Sequence, residues 1–137
     1  EAILRSLTHR QFDLIITHSP AGEYTRHLRH EEVGESVITL WHRGKIRSNE
    51  LWSFAYEDGG KQYLPQPIQT AHIYQELPEE IWKQKYDLIK KTYGFEENGF
   101  EAKTTPRAES FWQFVDSADA EQWLKRKEFQ NESFITL

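Results

Sequence analysis

The feature that most constrains this chain is the run Phe12-Asp13-Leu14-Ile15-Ile16-Thr17, which ends at His18-Ser19-Pro20-Ala21-Gly22. Five of six positions in the run are apolar or β-branched, with little polar/apolar alternation. Such continuity predicts a strand buried on both faces, as in a parallel sheet. The Pro and Gly that follow force the chain into a loop. A helical period then begins: Val33, Val37, Leu40 and Trp41 fall on one face over residues 30–43, and Gly44 is placed to stop the helix. Strand, loop and amphipathic helix in this order predict an α/β fold, whose ligands sit at the carboxyl ends of parallel strands. A strand buried on both faces needs parallel neighbours on both sides, and the rest of the chain offers few.

Those few are short. Ile3, Leu4 and Leu7 predict the last turns of a helix before the first strand. Leu51–Tyr56 reads as a strand with Trp52, Phe54 and Tyr56 on one face, and residues 71–75 as a weaker one. Pro65 and Pro67 argue against regular structure around them. Pro78, Glu79 and Glu80 open a helix over residues 78–93, with Trp82, Tyr86, Ile89 and Tyr93 as its stripe and Gly94 as its stop. Residues 95–108 read as loop, 111–115 as a strand, and 118–128 as a short helix capped by Ser117. No regular element is predicted for residues 129–137.

Composition limits the function classes. The chain has 137 residues, enough for one domain. It is read as a single domain, residues 1–137, or as the C-terminal part of a larger α/β domain. The net charge of −5 argues against a nucleic-acid footprint, which needs a basic face. No apolar run approaches the ~20 residues of a membrane-spanning helix. The absence of Cys excludes disulfides, Cys-ligated metals and thiol catalysis, and fits a cytoplasmic location. There is no Met, even at position 1, so an upstream segment is expected.

The loop and helix start carry the chemistry. His27 and His30 are three apart, so their side chains share a helix face. Neutral imidazole is a good zinc ligand, and a catalytic zinc takes three protein ligands and an open position. The pair supplies one or two of the three, so weak zinc binding is expected of this chain. Two bland readings compete. Paired histidines at a helix start are commonly surface or capping residues, and Arg26-His27-Leu28-Arg29-His30 reads as a solvated basic turn balanced by Glu31, Glu32 and Glu35. His18 and His72 read as loop or packing residues, and His9 and His42 as solvated.

The whole stretch from Phe12 to Trp41 resembles the second motif of the LmbE/PIG-L superfamily of zinc-dependent N-deacetylases. In that family a strand of the form Asp-x-(three apolar)-Thr-His-x-Pro leads to Gly-Glu-Tyr-Gly-His-Pro-Asp-His and a helix. Here the residues are Asp13 to Pro20, then Gly22-Glu23-Tyr24-Thr25-Arg26-His27-Leu28-Arg29-His30. Lys85 and Glu109-Ser110-Phe111 are similar to weaker family positions. The resemblance implies a partial Rossmann-like three-layer fold, N-terminal half missing, with the site at the strand carboxyl ends. It implies His30 as a zinc ligand, His27 beside the metal at the oxyanion or in proton transfer, and Glu23 and Tyr24 near the substrate. The implied partner is a small N-acetylated molecule such as an N-acetylglucosamine derivative. The chain departs from the motif in three ways. Leu28-Arg29 replaces Pro-Asp, one extra residue separates Tyr24 from His27, and the first motif, Ala-His-Pro-Asp-Asp, is absent. That motif supplies the other two ligands and the base, so it is expected upstream, and this chain alone is expected to be inactive. The missing half, or a second copy of the chain, is the expected macromolecular partner. The alternative is a non-catalytic binding module with a degenerate LmbE-like segment.

Overall fold

A computed structural model describes residues 1–24 and 26–132, and side chains as far as 126. Thr25 of the matched motif and 133–137 of the tail lie outside the described residues. The order is α1 (Ala2–Ser6), β1 (Gln11–Thr17), α2 (Leu28–His42), β2 (Arg47–Phe54), β3 (Tyr56–Glu57), β4 (Gln66–Pro67), β5 (Ile73–Glu76), α3 (Glu79–Asp87), α4 (Phe100–Lys103), β6 (Ala108–Phe114) and α5 (Ser117–Glu132). The chain is mixed α/β. Its main sheet has strand order β1-β2-β6-β5, with β1 and β2 parallel and the other pairs antiparallel. Among the described residues, no helix is long and apolar enough to cross a membrane.

The β1–α2–β2 unit is the frame of the molecule. Ile15 pairs with Leu51, and Thr17 with Ser53. The helix between the strands ends in a full C-terminal motif: Gly44 adopts φ +64, its N–H reaches the Trp41 carbonyl at 2.9 Å, and the Lys45 N–H reaches the Leu40 carbonyl at 2.9 Å. Only a glycine adopts that conformation without strain, which is why the helical period stops there. α2 buries Gly34, Val37, Ile38 and Trp41, and the Trp41 indole N–H donates to the Ser48 carbonyl. The core joins these to Ile46, Leu51 and Phe114, and to Ala120 and Leu124 of α5, with Ile3, Leu4 and Leu7 packed against it. His42 of α2 is exposed, as expected, and also meets Glu121 of α5 at 2.9 Å, a tie between the helices.

Several expectations are corrected. Among the described residues β1 is an edge strand with one neighbour, and Leu14 and Ile16 are 38% and 51% exposed, so the strand is not buried on both faces. The buried face of α2 is rotated from the expected stripe: Gly34 and Ile38 are buried and Val33 is exposed, because a glycine permits the closer approach. Pro67 pairs with Tyr56 in a two-strand ladder, a pairing that proline tolerates at an edge. α4 interrupts the loop expected over 95–108. Asp116, not Ser117, caps α5, accepting from the Ala118 N–H at 2.7 Å. The third helix runs as expected to residue 92, but its last turn, Leu88–Thr92, is π-helical, with the Tyr93 N–H on the Leu88 carbonyl at 3.1 Å.

Alternation along β2 sends Leu51 and Ser53 to the helix-covered side and Trp52 and Phe54 to the other. There Trp52 and Phe54 pack on Phe111 of β6 at ring separations of 5.4 and 5.1 Å. Tyr56 is buried. These aromatics are packing residues.

Candidate metal centre

β1 ends at Thr17, so His18 is the first residue beyond the carboxyl end of the strand. Its backbone is held from two sides. The Ser53 hydroxyl of β2 donates to the His18 carbonyl at 3.4 Å, and α2 presses on it at Gly34. A β-carbon at Gly34 would lie 2.4 Å from the His18 carbonyl oxygen and 3.0 Å from the Pro20 nitrogen. This glycine therefore lets the helix touch the loop. His30 lies one turn before Gly34, so the same close approach brings the two rings together.

The loop turns back to add a carboxylate. Gly22 at φ +88 closes a turn, its N–H on the Ser19 carbonyl at 3.2 Å. Glu23 is thereby aimed at the end of β1. Its Oε1 accepts from the Ser19 N–H at 3.1 Å and lies 2.7 Å from His18 Nδ1. Its Oε2 lies 3.7 Å from His30 Nδ1. The His18 and His30 rings stack at 3.9 Å, and His27 stacks on the outer side of His30 at 4.3 Å. One donor atom from each of His18, Glu23 and His30 falls within 4.8 Å of the other two. Among the described residues this is the group of three His, Asp or Glu donors arranged to hold a metal ion.

The electrostatics suit a cation. Partial burial and the neighbouring His18 hold the His30 pKa below the ordinary histidine value, against the opposing pull of Glu23. A neutral His30 keeps a lone pair free for a metal at neutral pH. The surrounding charges are already satisfied. Arg26 grips Glu31 with two hydrogen bonds of 2.6 and 2.7 Å, which lowers the Glu31 pKa, and Arg29 pairs with Glu32 at 2.7 Å. The basic turn is thus balanced as the sequence reading held.

His30 and Glu23, both expected at a site, come together. His27 sits beside His30 as the residue that caps α2, outside the group of three donors. Tyr24 points elsewhere. Its ring packs on Tyr56 at 4.5 Å, and burial, with the charges of Glu109 and Glu23, pushes its pKa up to about 12. Tyr24 therefore remains a protonated hydrogen-bond donor through the neutral range. Behind it, Glu109 accepts from both Tyr56 and Lys85, a half-buried polar knot that joins β3, α3 and β6. Burial pushes the Tyr56 hydroxyl pKa strongly upward as well. His72 is a packing residue, as expected. Its Nδ1 accepts from the Gln113 N–H at 3.0 Å and its ring meets Trp112 edge-on.

His18 lies in the loop after β1 with its ring packed on His30, as the sequence reading had it, and it is also one of the three side chains that could hold a metal. The available signal was its position, directly after the last residue of the strand. What the sequence did not show was Gly34, whose missing side chain decides how near His30 comes. No protein-family model, curated protein or solved structure matches this chain.

Gly34→Ala tests the positioning. Helix propensity favours Ala by ~1 kcal/mol. The obstacle is backbone, which has no rotamer to escape into, and overpacking of this kind costs about 1–3 kcal/mol. The variant is expected to unfold at lower denaturant and to bind zinc at least ~10-fold more weakly, in line with the 10–100-fold effects of disturbing the support of a ligand. Unchanged denaturation and zinc affinity would show that the contact does not position His30.

Proposed function

We propose that this chain carries the metal-binding portion of a zinc-dependent amide hydrolase that deacetylates N-acetylated sugars or related amides. The observation that carries the reading is the convergence of His18, Glu23 and His30 at the carboxyl end of β1. Two imidazoles and a carboxylate are a donor set that catalytic zinc sites use. Where one or two ligands and weak binding are expected from the sequence, His18 and Glu23 beside His30 support a set of three. A Rossmann-like three-layer fold of the LmbE/PIG-L type belongs to the same proposal. It draws support from the parallel β1–α2–β2 crossover and from donors placed where such sheets bind ligands.

His18, Glu23 and His30 would hold the ion, which when bound supplies a Lewis acid and an acidified water. The remaining steps belong to side chains. His27 lies against His30 and on the loop side of α2, so its imidazole N–H is available to a carbonyl oxygen gaining charge. Tyr24, turned to Tyr56, takes no part in these steps.

A second reading is favoured by one observation. The position where the family has Asp holds Arg29, which turns outward to Glu32 and gives the histidines no carboxylate support. On that reading the chain is a metal-binding module without catalysis. Acetate release from N-acetylglucosamine derivatives separates the two. The hydrolase reading expects zinc-dependent release in a protein that carries the first motif together with this chain, and general-base assistance worth ~10²–10⁴-fold to be missing without it. Zinc binding with no release in either form would leave the binding module.

A further inference from the structure

Among the described residues the main sheet has two open edges, β1 and β5, and they are defended differently. An open edge carries unpaired N–H and C=O groups that accept another strand, so native edges are kept short, charged or broken by proline. β5 follows that rule: it has four residues, and Gln75 and Glu76 are half of it. β1 does not. It has seven residues, with no Lys, Arg, Pro or Gly, and Asp13 is the one charge within it.

The side chains of β1 leave the same edge apolar. Ile15 and Thr17 pair with Leu51 and Ser53 on the side that α2 covers. Phe12, Leu14 and Ile16 alternate with them and take the other side, where Leu14 and Ile16 remain exposed. A row of unpaired backbone groups and a row of apolar side chains therefore run together along the strand.

The strand that fits this edge is β1 of a second copy. With a two-fold axis at Leu14, an antiparallel pairing gives all seven residues a partner. Leu14 faces Leu14 of the second copy, Phe12 faces its Ile16, and Gln11 faces its Thr17, so apolar meets apolar on the open side. Asp13 faces Ile15, which avoids the like charges directly opposite that destabilise a pair. One step beyond the strand, Arg10 comes opposite His18, whose ring is held by the Glu23 carboxylate. Arg10 is exposed and its side chain has no ion pair among the described residues, so the pairing brings an uncommitted cation towards that carboxylate. A contact of this kind is the same patch on both copies and closes on itself.

We propose that β1 is a dimerisation edge, at which two copies of this chain pair antiparallel about Leu14 and join their sheets into one. The proposal stands apart from the hydrolase reading and is tested on the chain itself.

The chain has no Cys, so single engineered cysteines report contacts without background. Directly opposed residues of an antiparallel pair have β-carbons ~4.5–5.5 Å apart, close to disulfide reach. Under mild oxidation Leu14→Cys is expected to form a linked dimer at least ~10-fold faster than Val115→Cys, an exposed site that reports random collision. A mixture of Phe12→Cys and Ile16→Cys should cross-link to each other in preference to themselves. Sedimentation of the unaltered chain should show monomer and dimer exchanging with concentration. Leu14→Lys and Ile16→Lys, at exposed positions, should each weaken the dimer at least ~10-fold, about 1.4 kcal/mol, with circular dichroism unchanged. A monomer at every concentration would leave the edge to some other strand and overturn the proposal, as would a dimer that both Lys variants leave intact. Cross-linking at Val115→Cys as fast as at Leu14→Cys, or Phe12→Cys and Ile16→Cys each preferring themselves, would refute the two-fold register.

Discussion

His30→Ala is expected to abolish stoichiometric zinc binding, whereas His27→Ala is expected to leave the metal in place and slow turnover. The two histidines are three residues apart and their rings touch, yet their surroundings differ. His30 is in the first turn of α2 and converges with Glu23 and His18. Its helix is anchored two turns on by Val37 and Ile38 in the core, so its ring has a fixed address. His27 caps the helix from the loop, with an extended backbone at φ −125, and stands outside the group of donors. Removing His30 leaves two protein ligands where catalytic zinc uses three. Metal content and activity should fall together. Removing His27 takes away a donor to the developing oxyanion, a loss worth ~10²–10³ in turnover. Metal analysis of this chain itself, where His18 and Glu23 are the donors left, beside acetate-release kinetics in a form that carries the first motif, separates the roles. Loss of metal from His27→Ala with retention in His30→Ala would reverse the assignment.

The largest stability effect is expected at Leu51. Its side chain has no solvent exposure and lies in the middle of β2. Leu51 pairs with Ile15 on the parallel side and with Phe114 on the antiparallel side, beneath the α2 residues Ile38 and Trp41. Leu51→Ala removes methyl groups from a position where three secondary-structure elements meet, so the surroundings have little freedom to close the cavity. The expected cost is ~2–5 kcal/mol, against a total stability of ~5–15 kcal/mol for a typical domain. Urea denaturation should show a midpoint shifted far downward with an unchanged slope. Leu14→Ala, on the same sheet but at the open edge of β1, should cost well under half as much. A Leu51→Ala midpoint close to that of Leu14→Ala would mean that the core does not centre on β2.

The order of elements was legible because each rests on local signals. An apolar run gave β1. A helical period closed by Gly44 gave α2. Pro78 and its acidic neighbours opened α3. What the sequence hid was tertiary. The open edge of β1 depends on how many strands pair with it, and apolar content cannot count neighbours. The rotation of α2 turns on Gly34, whose role is visible only once a helix lies across the His18 carbonyl. At the candidate site, the motif resemblance singles out His30, Glu23 and His27, whereas the approach of Glu23 to His18 arises from a turn at Gly22 that folds Glu23 back against the strand end. The knot of Tyr56, Lys85 and Glu109 joins residues 53 and 24 positions apart, beyond the reach of any local pattern.

The central claim is that His18, Glu23 and His30 hold one metal ion. Zinc titration of the chain, followed through the imidazole resonances of its six histidines, tests it directly. The account predicts one zinc per chain, with saturating shifts at His18 and His30 and a smaller ring-current shift at the stacked His27. His9, His42 and His72 should not move. Absence of stoichiometric binding, or saturating shifts at His9, His42 or His72 in place of His18 and His30, would contradict it.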